Sequence, residues 1–155
     1  MRFTAQEEYA LRGMFDLAYN GQEGCAVQVR VIGERQGIPT RYLEQIFQHL
    51  RKAGLVTAKR GPGGGFMLAM SPRRISLNDI FDAVEGLRKG VFSRGENDSE
   101  EEGAPVTPYQ PSFLGPWLTD HFVAMLAGLN LEDLCEQARR TGLPSKSSLV
   151  EMYHI

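Results

Sequence analysis

The architecture turns on residues 34–69, ERQGIPTRYLEQIFQHLRKAGLVTAKRGPGGGFMLA. Leu43, Ile46, Phe47 and Leu50 stand at i, i+3, i+4 and i+7, the inner stripe of a helix that Pro39 starts and Gly54 closes. Ahead of it, Val29 and Ile32 share one face of a shorter helix that Gly37 stops, which makes Gly37-Ile38-Pro39 the tight turn of a helix-turn-helix. Behind it, Leu55–Arg60 and Phe66–Met70 read as two short strands around Gly61-Pro62-Gly63-Gly64-Gly65, a β-hairpin with a glycine-rich tip.

The flanks extend the pattern. Thr4 and Glu7 have capping-box spacing, and Leu11, Met14, Phe15 and Ala18 then recur at helical intervals up to Asn20-Gly21. Ser76 and Asp79 repeat that spacing before Leu77, Ile80, Phe81 and Val84, which predicts a further helix to about Gly86. The order helix, helix, helix, hairpin, helix is a winged helix-turn-helix, mainly α with a small β wing, expected over residues 1–87.

Beyond it the composition shifts. Residues 94–112, RGENDSEEEGAPVTPYQPS, carry five acids and three prolines and almost no aliphatic side chain, so residues 88–116 are expected to form a flexible acidic loop. Pro116 then introduces a helix on which Trp117, Leu118, Phe122, Met125 and Leu126 cover most of the circumference. A small winged-helix core cannot cover all those sides, so a second copy of the same helix is the expected cover, and these residues are the expected dimerisation set. Asn130 and Asp133 cap a last helix carrying Leu131, Leu134, Cys135 and Ala138 on one face, completing residues 117–142 before a tail at 143–155.

Charge is divided the same way. Residues 1–74 hold 11 Lys and Arg against 6 Asp and Glu, net +5, and residues 75–155 hold 6 against 13, net -7, within a chain of net charge -2. A basic first half suits a polyanion locally in spite of the neutral total. On the helix whose inner stripe is Leu43 to Leu50, Arg41, Gln45, Gln48 and Lys52 fall opposite the stripe and Glu44 on its flank. Arginine and glutamine read guanine and adenine edges in the major groove, and a carboxylate there selects a cytosine amino group. Lys59 and Arg60, beside Gly61 and Gly64, place cations where the backbone can come close to DNA, with Arg60 expected in the minor groove. Arg2, Arg12, Arg51 and Lys52 are candidates for phosphate contact. GPGGG is no phosphate-binding P-loop, since no Gly-Lys-Ser/Thr follows.

The stretch 34–69, together with EEYALRGMFDLA near the N-terminus and ISLNDIFDAVEG at 75–86, closely resembles the Rrf2 family of bacterial winged-helix regulators, which is IscR-, NsrR- and CymR-like. The resemblance spans about residues 1–87. It implies a homodimer on a pseudo-palindromic double-stranded DNA operator, with base contacts from Arg41, Glu44 and Gln45 and a minor-groove contact from Arg60. It also implies a transcriptional role, read here as repression. Many members of the family hold an iron-sulfur cluster on three cysteines placed between the winged helix and the long dimerisation helix. Residues 87–116 contain no cysteine, so no cluster or other cofactor is expected.

Two cysteines are too few for a disulfide scaffold, and there is neither a signal-peptide core nor an apolar run of the ~20 residues a membrane span needs, so a cytoplasmic protein without membrane contact is expected. Cys25, in the loop before the helix-turn-helix, is the candidate redox thiol; Cys135 belongs to an apolar face. His121 falls in the dimerisation stripe. Phe113, Trp117 and Phe122 beside the acidic loop could receive a small-molecule or protein effector. No Ser/His/Asp, Cys/His or paired-carboxylate pattern supports an enzyme. The alternative from another class is a winged helix that has lost DNA binding and docks a protein, against which Arg41, Gln45, Lys59 and Arg60 weigh.

Overall fold

The computed structural model describes residues 3–84, 108–109, 111 and 113–146. Arg2, the boundary at 87, most of the acidic segment 88–116 and the end of the tail lie outside the described residues. Helix α1 (Ala5–Asn20) opens on the expected box: Thr4 Oγ1 accepts from the Glu7 amide at 3.2 Å, and Glu7 Oε2 accepts from the Thr4 amide at 2.7 Å. Ala10, Met14 and Leu17 face inward from it. Helix α2 (Val29–Gln36) ends at Gly37, whose φ of +65° is the left-handed conformation that lets the chain turn sharply. Helix α3 (Thr40–Lys52) follows, with Leu43, Ile46, Phe47 and Leu50 buried as the periodicity requires.

Strands β1 (Val56–Lys59) and β2 (Gly65–Leu68) pair antiparallel, from Val56 with Leu68 to Lys59 with Gly65. Val27 adds one residue to this wing, exchanging two 2.9 Å backbone hydrogen bonds with Phe66. Gly65 permits the approach: its φ is +144°, and a Cβ there would meet the Val27 carbonyl oxygen at 2.3 Å. Phe66 turns its ring onto Phe47, centroids 5.0 Å apart, so wing and α3 share one core.

A 3₁₀ turn (Pro72–Arg74), absent from the sequence reading, leads into α4 (Leu77–Ala83). Ser76 and Asp79 form the expected capping box, but α4 closes on Val84, earlier than Gly86, with the Val84 amide bonding the Phe81 carbonyl. Helix α5 (Leu114–Ala127) starts before Trp117, with Pro116 inside its first turn, where a missing amide costs least. Helix α6 (Leu131–Arg140) has its capping box on Asn130 and Asp133. Its start is paired with that of α4: Leu77 N donates to Leu129 O and Leu131 N to Ile75 O, both at 2.9 Å, around a bridge between Ser76 and Asn130. Residues just after α6 are also tied down, as Tyr19 Oη donates to Leu143 O at 2.7 Å and Lys146 N to Asn20 Oδ1 at 2.9 Å.

The dimerisation set divides. Trp117, Leu118 and Met125 are exposed, Phe122 packs against the core, and Leu126 is only 4% exposed. Leu126 is packed into the core of its own chain and anchors α5 there. No helix among the described residues is long and apolar enough to cross a membrane.

Candidate nucleic-acid interface

The burial of one stripe of α3 against α1, α2 and β1 leaves the opposite side outward. Arg41, Glu44, Gln45 and Gln48 are all exposed there, and Arg51 and Lys52 are exposed in the last turn. The wing supplies a second group. Past the last ladder pair, Lys59 with Gly65, the chain turns at Gly61 and Gly64, where the Gly64 amide bonds the Gly61 carbonyl at 2.9 Å. Lys59, Arg60 and Gly61 are exposed, and Gly64 is half-buried.

Among the described residues, the ion pairs engage Arg12, Arg30, Arg35, Arg139 and Arg140. Arg41, Arg51, Lys52, Lys59 and Arg60 are outside those pairs, so their charge is unneutralised within the described chain. Arg12 is different: it pairs with Glu8 at 3.4 Å and donates to the Gln36 carbonyl, so among the described residues it is the expected phosphate contact that is already engaged.

What holds α2 and α3 in place was missed in the sequence. Asp16 on α1 is completely buried and accepts from four donor atoms on three side chains. Arg35 clamps it with Nη2 at 2.6 Å and Nε at 3.1 Å, while Gln36 Nε2 and Asn20 Nδ2 bond it at 2.9 and 3.0 Å. A buried carboxylate is tolerable only when paired and hydrogen-bonded, and here the pairing fixes the end of α2 immediately before the turn into α3. The available signal was Asp16 itself, a charge between Phe15 and Leu17 in an apolar stretch. Tyr42 was missed too. It is exposed on α3, and the Arg41 guanidinium lies over its ring.

Of the sensor candidates, Cys25 is exposed and borders an open cleft of about 670 Å³ between the end of α1, the loop at 21–25 and the segment from Met67 to Pro72. Cys135 is buried, which pushes its thiol pKa up to about 11. His121 is exposed, its ring lies tilted against that of Trp117 with centroids 4.0 Å apart, and Nδ1 hydrogen-bonds the Trp117 carbonyl at 2.8 Å. Phe113 and Trp117 stand in solvent, whereas Phe122 turns to the core.

A family model described as Rrf2, iron-dependent transcriptional regulator, matches residues 3–137. The chain is 45% identical over 156 residues to NMA1593 of Neisseria meningitidis serogroup A, which bears the name of an HTH-type transcriptional regulator, with 100% of this chain and 99% of that one covered. It is 36% identical over 134 residues to IscR of Xenorhabdus nematophila, covering 86% and 79%. Among solved structures, T. potens IscR superposes with a TM-score of 0.70 at 30% identity, covering 93% of each chain. CymR, the global cysteine regulator of B. subtilis, gives 0.68 at 26% identity, covering 88% and 98%. Among the described residues no donor set fits the iron of the family description. The chain's two cysteines stand apart, one exposed in a loop and one buried in α6, and among the described residues no three His, Cys, Asp or Glu side chains gather where they could hold a metal.

Proposed function

Because the chain belongs to the Rrf2 family of DNA-binding transcriptional regulators, we propose that it acts as a homodimer that occupies a pseudo-palindromic operator and represses transcription, without the iron-sulfur sensor of many relatives. The observation that carries this reading is the outward row Arg41, Glu44, Gln45 and Gln48 on a helix whose other face is fully committed to the core. In this reading Arg41 and Gln45 donate to base edges, Glu44 selects a cytosine amino group, and Arg60 enters the minor groove from the wing. Lys59, Arg51 and Lys52 bind phosphate and set the register without reading sequence. Gly61 and Gly64 keep the wing tip slim enough to follow the backbone of the duplex.

The second copy is supported by the exposed apolar row Trp117, Leu118 and Met125 along α5. Two reading helices related by a two-fold axis match two half-sites, which is why a palindromic operator suits a symmetric dimer. With no cluster to report on the cell, release falls to a small-molecule or protein effector, or to oxidation of Cys25.

Selection of bound duplexes from a random pool tests the reading. A palindromic consensus is expected, and Glu44→Ala should flatten the preference at one base pair per half-site by about 1–3 kcal/mol. Recovery of no consensus would instead favour a protein-docking winged helix.

A further inference from the structure

Arg41 and Tyr42 are consecutive on α3, so their side chains leave the helix about 100° apart. They nevertheless meet. The Arg41 guanidinium carbon lies 4.8 Å from the centroid of the Tyr42 ring, and Nη2 donates to Tyr42 Oη at 3.0 Å. To reach this position Arg41 bends away from its own radial direction and toward the edge of α3 that faces α1. Tyr42 is in turn backed by Tyr9 of α1, centroids 6.4 Å apart, across a hollow of about 410 Å³ that Gln6, Gln45 and Ile46 help to line. Tyr42 itself is 42% exposed, so its ring is an open platform and not a core side chain.

A free arginine on a helix surface samples many rotamers and can reach several neighbouring base pairs. One held both through its π-facing plane and through a donated hydrogen bond has most of that choice removed before DNA arrives. We propose that Tyr42 is a specificity-determining positioning residue: it holds the Arg41 guanidinium at the α1-facing edge of the reading helix and so fixes which base pair Arg41 can reach. Tyr9 supports the platform from the scaffold side. The proposal rests on the reading of α3 as the base-reading helix and adds how its first cation is aimed.

The test uses the full-length protein and its selected operator, with all four base pairs placed in turn at each half-site position. Arg41→Ala first identifies the position that Arg41 reads, as the one where preference disappears. Wild-type protein is expected to favour its base pair there by about tenfold or more. Tyr42→Leu should reduce that preference to threefold or less while leaving preferences at the other positions in place. Tyr42→Phe, which keeps the ring and loses the hydroxyl, should fall between, and it serves if the leucine variant folds poorly. In an Arg41→Ala background, Tyr42→Leu should change nothing further at that position. An unchanged preference in both Tyr42 variants would overturn the proposal, as would an equal loss of affinity for every duplex, the mark of a sequence-blind phosphate contact. If Arg41→Ala itself leaves every preference intact, the assignment of Arg41 as a reader fails, and the role of Tyr42 falls with it.

Discussion

Helices α3 and α5 have nearly the same length, 13 and 14 residues, and are opposite in how they spend their apolar side chains. α3 concentrates its aliphatic side chains and Phe47 on one stripe and buries all four, and apart from Tyr42 the remaining face is polar and exposed. α5 spreads them around the helix and buries only Leu126, leaving Leu114, Trp117, Leu118 and Met125 exposed. The first pattern is complete within one chain, so its outward face is available for a ligand. The second is incomplete, and its outward face calls for more protein. In the proposed function, the first helix meets DNA and the second meets its own copy.

Four measurements would break or sharpen that contrast. Phe47→Ala removes the ring that joins α3 to the wing, and a loss of about 3–5 kcal/mol is expected in urea unfolding. Trp117→Ala in α5 should cost the single chain less than a third of that, and an equal cost would erase the contrast. Trp117→Glu with Leu118→Glu should weaken self-association by about 100-fold, because a buried unpaired carboxylate is costly. Sedimentation should then show a single folded chain where the unaltered protein shows a dimer, and a variant that remains dimeric would place the interface elsewhere. Arg60→Ala should lower operator affinity about tenfold and reduce the slope of log K against log salt by about 1. An unchanged salt slope would remove the wing from the DNA interface.

The smallest effect lies in the thiols. Cys25 should react at once with a thiol reagent at pH 8, and Cys135 only as the fold opens. Burial raises the Cys135 pKa to about 11 from the ordinary value near ~8.5, so the folded protein keeps a proton that the unfolded chain gives up. Its contribution to stability is complete below the unfolded value and is lost as pH rises toward 11. The fall in urea midpoint across that window should be shallower in Cys135→Ala than in the unaltered protein; parallel curves would discount the thiol.

The legible parts of the molecule are those in which physical cause is local. The stripe Leu43 to Leu50, the stop at Gly37, the glycine-tipped hairpin and all three capping boxes depend on residues within about a turn of one another, and periodicity and spacing report them directly. The outward row of α3 follows as the complement of its inward stripe. What escaped depends on distant partners. Val27 joins the wing as a single residue with no strand pattern of its own. The Ser76 and Asn130 pairing brings together helix starts more than fifty positions apart. Leu126 and Met125 are neighbours of similar character, and only the packing of α5 on the core separates the anchor from the exposed face. Tyr42 was passed over because residues one apart on a helix do not face each other, yet a long flexible arginine bridges the gap.

The bridge between Ser76 and Asn130 also bears on how such a protein can change over generations. The chain runs out through α4, returns through α5 and meets itself again where α4 and α6 begin, so the bridge closes a loop between those two helix starts. Closing such a loop depends on the logarithm of its length, and doubling it costs only about 0.6 kcal/mol. Changes of length between the two helix starts are therefore expected to leave the geometry of α3 and the wing in place. In the proposed function, a lineage is then free to rewrite the stretch between those helix starts while inheriting the same reading helix and wing.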